Sequence, residues 1–479
     1  SALLLVSGAA GAVYAGQELV PPLEAPEAGV VRPVRVPAGA TTAVCHGAPE
    51  LPEGSVAYDE DFNPFPVEPR GSLAVGSFPR EGTAGEGTWW TESDAGEAGS
   101  AEAGSGGTSL DGSPVRWFRT DAIGALEVPG WALVDPVGED AALVAGTGAW
   151  LVDAGDLRSL VAGPCLSPAN ELWLVGGATT LGRSALLELV NPGETTLTVG
   201  VEGWGPTGPV DLPLLESVSL APRTSTRVLV EASAADVERL ALHVRASGGR
   251  VSAALVDAAL TGVTPQGVEL VVPTAAPATE LLFAGVSLAE PDPEAGDPAS
   301  SANVLRLLNP GTEPAEAAVE ILSADGATPV PGATALTVDA GAVFEITLAG
   351  LPAGDHAVRV TSDQPITGAV QTGRAATLQG DDAVTLDRAW TVAVPATTRA
   401  AVVLPEIASA RLVLANPGTG DAVVRLVRYG GAAPLEIRIP AGSSETVEAD
   451  GLAVMLESDL PVVAAAVLEA EAPDGTLIS

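Results

Sequence analysis

Leu187-Glu188-Leu189-Val190-Asn191-Pro192-Gly193 is the stretch on which the fold turns. It recurs as Leu305-Arg306-Leu307-Leu308-Asn309-Pro310-Gly311 and as Leu412-Val413-Leu414-Ala415-Asn416-Pro417-Gly418. Two leucines stand four and two positions before each asparagine. A period of two puts both on one face of a β-strand. Asn-Pro-Gly then stops the strand and turns the chain, because proline lacks a donor and glycine accepts turn dihedrals. The asparagines lie 118 and 107 residues apart (191 to 309 to 416), so the strand marks a repeat of about 110 residues.

Other markers recur with the same spacing. Each copy opens at a Pro-Ala pair: Pro168-Ala169, Pro277-Ala278 and Pro395-Ala396. Each has a mid-unit turn, at Ala221-Pro222, Ala340-Gly341 and Pro440-Ala441-Gly442. Each closes on two strands around a polar turn: 242–246 then 251–256, 358–361 then 366–370, and 454–457 then 462–468. Short strands with regular turn signals predict an immunoglobulin-like architecture, without the Cys…Trp…Cys core of antibody domains. The expected fold is therefore all-β, with tandem immunoglobulin-like β-sandwich domains over residues 167–275, 276–394 and 395–479. The segment 234–242 is the one place where a helical turn competes with strand.

Residues 19–166 read as a divergent β domain, in which Pro37-Ala38-Gly39 resembles the mid-unit turn of the later copies. Within it, residues 81–113 are acidic and rich in glycine and serine, which predicts a long mobile loop that builds no core. Residues 1–18 hold an uncharged, small-residue stretch. It reads as the outer part of a single N-terminal membrane anchor, in preference to a signal-peptide core. Gly8, Ala12 and Gly16 fall on one helical face, a candidate helix-packing surface or simple Gly/Ala enrichment. A tandem array on such an anchor would carry a long surface away from the membrane.

The chain has 61 acidic and 22 basic residues and a formal charge of −39. Every basic residue is arginine. That field disfavours nucleic acid and anionic lipid headgroups, and favours partners with neutral or basic contact surfaces. High-GC codon usage explains the Arg, Ala, Gly and Pro content; a halophilic origin is the competing account. The two cysteines, Cys45 and Cys165, predict one disulfide in an exported chain; two buried thiols are the alternative. Closing a loop of 120 residues (45 to 165) would contribute roughly 4–5 kcal/mol on the chain-entropy model.

At this point a family resemblance emerges. Gly155-Asp156-Leu157-Arg158-Ser159-Leu160-Val161-Ala162-Gly163-Pro164-Cys165, leading into Glu171-Leu172-Trp173-Leu174-Val175-Gly176-Gly177 and Asn191-Pro192-Gly193, resembles the actinobacterial domain-of-unknown-function family 5719. Asp387-Arg388-Ala389-Trp390 is similar to a further motif of that family. The resemblance implies one membrane anchor, a large extracytoplasmic part and a gene encoded beside that of a large membrane glycosyltransferase, which suggests a polytopic glycosyltransferase as partner. It supplies no catalytic residues.

Candidate chemistry is sparse. His46 adjoins Cys45, but strand neighbours face opposite ways; His243 falls in a strand; His356 falls in a turn and should be solvated. No metal-ligand or nucleophile-elbow spacing is present, so no catalytic residue, metal or cofactor is expected. Asp59-Glu60-Asp61-Phe62-Asn63 has the alternation of a calcium loop, yet Pro64 and Arg70 occupy its glycine and glutamate positions. It reads as a solvated acidic turn. Trp89 and Trp90, side by side in the expected loop, are candidates for a partner or glycan contact. Their competing role is to cover the edge of the first domain. Trp117, Trp131, Trp150, Trp173, Trp204 and Trp390 read as core. These observations point to a non-enzymatic extracytoplasmic scaffold or accessory subunit of a cell-envelope membrane complex. A glycan-binding module is the alternative, and an unrecognised hydrolase the third reading.

Overall fold

The computed structural model describes residues 37–49, 69–80, 82–92, 101–104, 108–109, 115–121, 129–290, 302–377, 384–473 and 475–479. The chain is all-β. The one named helical element among the described residues is a 3-10 turn at Val230–Ala232. Residues 1–18, with Gly8, Ala12 and Gly16, lie outside the described residues, as does the acidic run at 59–63. Among the described residues no helix is long and apolar enough to cross a membrane. Residues 39–479 form one compact unit.

The three Asn-Pro-Gly strands, Arg183–Asn191, Val304–Leu308 and Ser409–Asn416, hold the same sheet position. In each sheet the order runs from the strand after the mid-unit turn, through the Asn-Pro-Gly strand and the closing strand, to a last strand. In the first copy these are Thr224–Leu229, Arg183–Asn191, Ser252–Thr261 and Thr264–Val271. A second sheet faces each one, here Glu171–Val175, Ala241–Ser247 and Leu197–Gly205 in that order. Leu187, Leu189, Leu242 and Val244 meet between the two. In the later copies the two closing strands are one. Gly354–Thr377 and Ala453–Ala472 each run through both sheets, changing partner near Pro365 and Pro461.

Asparagine earns its recurrence through one lock built three times. The Asn191 amide donates to the carbonyls of Thr195, Leu220 and Ala221, while its oxygen accepts the Gly193 N–H. Asn309 does the same with Glu313, Val338 and Gly311, and Asn416 with Gly420, Ile439 and Gly418. One buried side chain thereby satisfies the turn and ties it to the mid-unit turn of the same copy.

The first domain shares this topology. Its sheets run Thr41–Cys45, Gly130–Val134, Gly87–Glu92, Ala101–Gly104, and Thr108–Ser109, Arg116–Asp121, Arg70–Phe78, Leu143–Val152, Ser159–Pro164. Arg70–Phe78 takes the place of the Asn-Pro-Gly strand. Pro37-Ala38-Gly39 precedes the first strand, the place of the Pro-Ala pair in the other copies and not of their mid-unit turn. The expected loop at 81–113 is corrected in its described parts. Thr88-Trp89-Trp90-Thr91 has strong strand preference and lies within the strand Gly87–Glu92, paired on both sides.

The four pairs of sheets do not extend as an array. Among the described residues they close into a ring of eight sheets stacked face to face, in the manner of propeller blades. Val44 and Trp131 of the first pair meet Val190 of the second. The sheet of Trp173 meets that of Leu308, Val343 and Ala369. Leu282 and Ala284 meet Val463. Val403, Tyr429 and Met455 return to Phe78, Val115 and Trp117. The last strands of the four pairs, Ser159–Pro164, Thr264–Val271, Val384–Val392 and Gly475–Ile478, come together at the centre. Ser479 and Ala162 close the ring, exchanging hydrogen bonds between the Ser479 hydroxyl and the Ala162 backbone.

Candidate functional site

The centre of the ring gathers charges that the sequence hides in apolar strands. Arg388 and Trp390 lie on one face of Val384–Val392, and Asp387 and Ala389 on the other, by strand alternation. Arg388 donates to the fully buried Asp257 at 2.8 Å, and the Trp390 indole N–H donates to the same oxygen at 3.0 Å. Arg388 also reaches the carbonyls of Gln266 and Gly267. Arg183 meets the other Asp257 oxygen at 3.3 Å. Burial would raise the Asp257 carboxyl, but Arg388, Arg183 and the Trp390 N–H outweigh it and hold it at about 2. Arg306 lies over the Trp390 ring, pairs with Glu345 at 2.9 Å and donates to the Gly177 carbonyl at 2.7 Å. This cluster locks the third pair of sheets to the second.

The opposite face of the same strand closes the ring. Asp387 accepts the N–H of Ile478 at 2.8 Å and of Leu160 at 3.3 Å, joining the fourth and first pairs through the third. Burial pushes its carboxyl up to about 7, against the pull of those two N–H groups. Glu269, buried nearby, accepts the Leu270 N–H and is raised well above its usual value by burial, with the Asp387 charge adding to the rise.

Of the three histidines, His46 joins two pairs of sheets, whereas His243 bonds strands of its own sheet and His356 a nearby carbonyl. His46 bonds Glu188 at 2.6 Å and Ser252 at 2.9 Å, linking the first pair to the second. Burial would raise Glu188, but His46 and Arg227 hold it at about 2. His243 stacks on Trp173 with ring centres 3.8 Å apart and lies between Glu171 and Glu202. His356, expected to be solvated, is buried, with Nε2 against the Pro352 carbonyl at 2.9 Å. Among the described residues no three His, Cys, Asp or Glu side chains form a group able to hold a metal.

Cys45 and Cys165 form a disulfide, tying the first strand of the first pair to the segment leaving it. Trp89 and Trp90 face opposite ways, which corrects their expected display on a loop. Trp89 is 3% exposed in the core of the first pair. Trp90 lies between the first two pairs, with the Arg223 guanidinium 4.2 Å from its ring centre. The other six tryptophans are buried, as expected.

The residues that carried the resemblance thus sit together: Leu160 and Arg158 flank or form the first inner strand, and Asp387-Arg388-Ala389-Trp390 the third. A family of unknown function, DUF5719, matches residues 125–450, which takes in both segments. The chain belongs to the DUF5719 family. No curated protein matches it. For this DUF5719 chain the Asp-Arg-Ala-Trp motif has a physical role, since Asp387 bonds the fourth and first pairs while Arg388 and Trp390 both bond Asp257 of the second.

Sequence reading missed Glu188 and Asp257 as key groups. The signal was a lone carboxylate within Leu-Leu-Glu-Leu-Val and within Leu-Val-Asp-Ala-Ala-Leu. Such a residue in a continuous apolar strand is buried, and therefore needs a cation.

Proposed function

We propose that this chain is a non-enzymatic extracytoplasmic scaffold or accessory subunit of a cell-envelope membrane complex. In this reading its paired sheets are immunoglobulin-like sandwiches and a single N-terminal helix anchors it. The observation that carries the reading is how the reactive side chains are engaged. His46, Asp257 and Arg388 bond across neighbouring pairs of sheets and His243 bonds strands of its own sheet, so the groups best suited to chemistry are engaged in holding the fold together. A closed ring fixed by buried ion pairs is a rigid body, which suits a platform whose outer surface contacts another protein. The disulfide supports an oxidising compartment. The charge of −39 favours a neutral or basic contact surface on the partner.

The partner proposed is a polytopic membrane protein, with a glycosyltransferase suggested by the family resemblance alone. The glycan-binding alternative has little support, because Trp89 is in a core and Trp90 lies beneath Arg223. The test is purification of the native protein in mild detergent, followed by mass spectrometry and size analysis. Co-elution with a polytopic membrane protein is expected. A protein that elutes alone from every mild detergent, with no such partner, would remove the reading.

A further inference from the structure

A cavity of about 310 Å³ lies inside the ring, where the core of the fourth pair meets the inner strands. Aligned registers explain why it is there. Leu187, Leu305 and Leu412, the first leucines of the three Asn-Pro-Gly strands, pair with Leu255, Val370 and Ala466 respectively. The facing sheets align in the same way. Leu172 pairs with Val244, Leu281 with Val360 and Ala400 with Leu456. One step along, Leu174, Phe283 and Val402 are equivalent. At three facing core positions the fourth pair therefore carries Ala466, Ala400 and Val402, where the second and third pairs carry larger side chains. All three line the cavity.

Small side chains at positions built for large ones leave a void when the surroundings do not collapse, and the loss grows with its volume. An apolar void stays dry and accepts an apolar guest. The wall has little to offer a polar one. Thr147 donates its hydroxyl to the Val403 carbonyl at 2.8 Å, Thr391 donates to the Gly285 carbonyl, and the Ser479 hydroxyl is engaged with Ala162. What remains, apart from Thr372, is mainly alanine, valine and leucine, with Pro164, Ile478 and two glycines, on strands from all four pairs and with Trp390 beside them. The volume is at the lower end of the roughly 300–1,000 Å³ of small-molecule sites.

We propose that this cavity is a binding site for a single aliphatic chain, the alkyl part of a fatty acid or of a neutral lipid. The proposal does not rest on the scaffold reading. Ala466, Ala400 and Val402 determine it, because each keeps open a volume that its counterpart fills.

The test is calorimetric titration of the full chain with 1-dodecanol and with dodecanoate. The wild-type protein is expected to bind at least the alcohol; binding of both points to fatty acids, and binding of the alcohol alone to neutral lipids. Ala466→Leu restores the residue of the second pair. It should weaken binding at least tenfold and raise the Tm of the ligand-free protein. Val402→Leu should do the same independently, and decides the matter if Ala466→Leu does not fold. Leu181→Ser, at an exposed turn, should leave binding unchanged. Absence of binding of both probes to the wild type overturns the proposal. So does binding that Ala466→Leu and Val402→Leu leave intact, because the chain would then be held elsewhere.

Discussion

Arg388 donates to Asp257 across 2.8 Å and 131 residues of sequence, and the pair is the joint between the second and third pairs of sheets. Removing one partner strands the other. Arg388→Leu leaves the Asp257 carboxylate fully buried with Trp390 and the part-exposed Arg183 as its remaining donors. The expected loss is about 3–5 kcal/mol in chemical denaturation. The double variant Asp257→Leu/Arg388→Leu should lose less than Arg388→Leu alone, because the fully buried carboxylate is gone and only the part-exposed Arg183 loses a partner. Equal losses would show that packing, and not charge compensation, holds this joint.

The threefold asparagine lock makes a second prediction. Asn309→Ala removes donations to the Glu313 and Val338 carbonyls and the acceptor for the Gly311 N–H. The cost should be about 2–3 kcal/mol, since each buried group left unpaired costs about 1–3 kcal/mol. Asn309→Asp should cost more than Asn309→Ala. It keeps the oxygen that accepts from Gly311 but turns an acceptor toward two carbonyls. Hydrogen exchange at Gly311 and the residues around it would rise in both variants, and a fall in neither stability nor protection would count against the lock.

The strands and their repeat were legible because Leu-x-Leu-x-Asn-Pro-Gly states a face and a stop in seven residues. The kinship of the first domain was not legible. Its equivalent strand ends in Phe78-Pro79, and its partner strands are separated by long acidic insertions. The ring was signalled and overlooked. A sandwich with a solvated outer face alternates apolar with polar residues, yet Leu186-Leu187 and Leu189-Val190 are apolar on both faces, as is Val462 through Leu468. Continuous apolar runs mean sheets covered on both sides. One face of Arg183–Asn191 meets its own core through Leu187 and Leu189, and the other meets neighbouring sheets through Leu186 and Val190. The central cluster could not be located from sequence, because its charges are brought together only when the ring closes.

The Cys45–Cys165 disulfide closes a loop of 120 residues around the first pair of sheets. A Cys45→Ser/Cys165→Ser double variant should lose up to about 4–5 kcal/mol on the chain-entropy model. Limited proteolysis should then cut first within the first pair, between residues 45 and 165, with the later copies resisting longer. Simultaneous cleavage throughout would mean instead that the ring opens as one unit, and that its closure and not the bridge protects the first pair.

Two classes of buried carboxylate set opposite pH limits. Asp257 and Glu188 are held at about 2, so their contribution is complete above the usual carboxylate range and is lost as pH falls toward 2. Asp387 is the reverse case. Burial lifts its carboxyl from 3.8 to about 7, so the folded chain keeps a proton that the unfolded chain releases. Its contribution is greatest below 3.8 and declines as pH rises to about 7, and Glu269, also raised, acts in the same direction. Taken together the four groups place greatest stability in mildly acid solution. Asp387→Asn separates the effects, because the amide oxygen can still accept from Ile478 and Leu160 while the charge is gone. Above pH 7 the variant should be more stable than the wild type, on the order of a few kcal/mol. Near pH 4 the two should be close. Thermal denaturation from pH 3 to pH 9 reads both, and curves that run parallel over that whole range would mean that Asp387 does not change its protonation on folding.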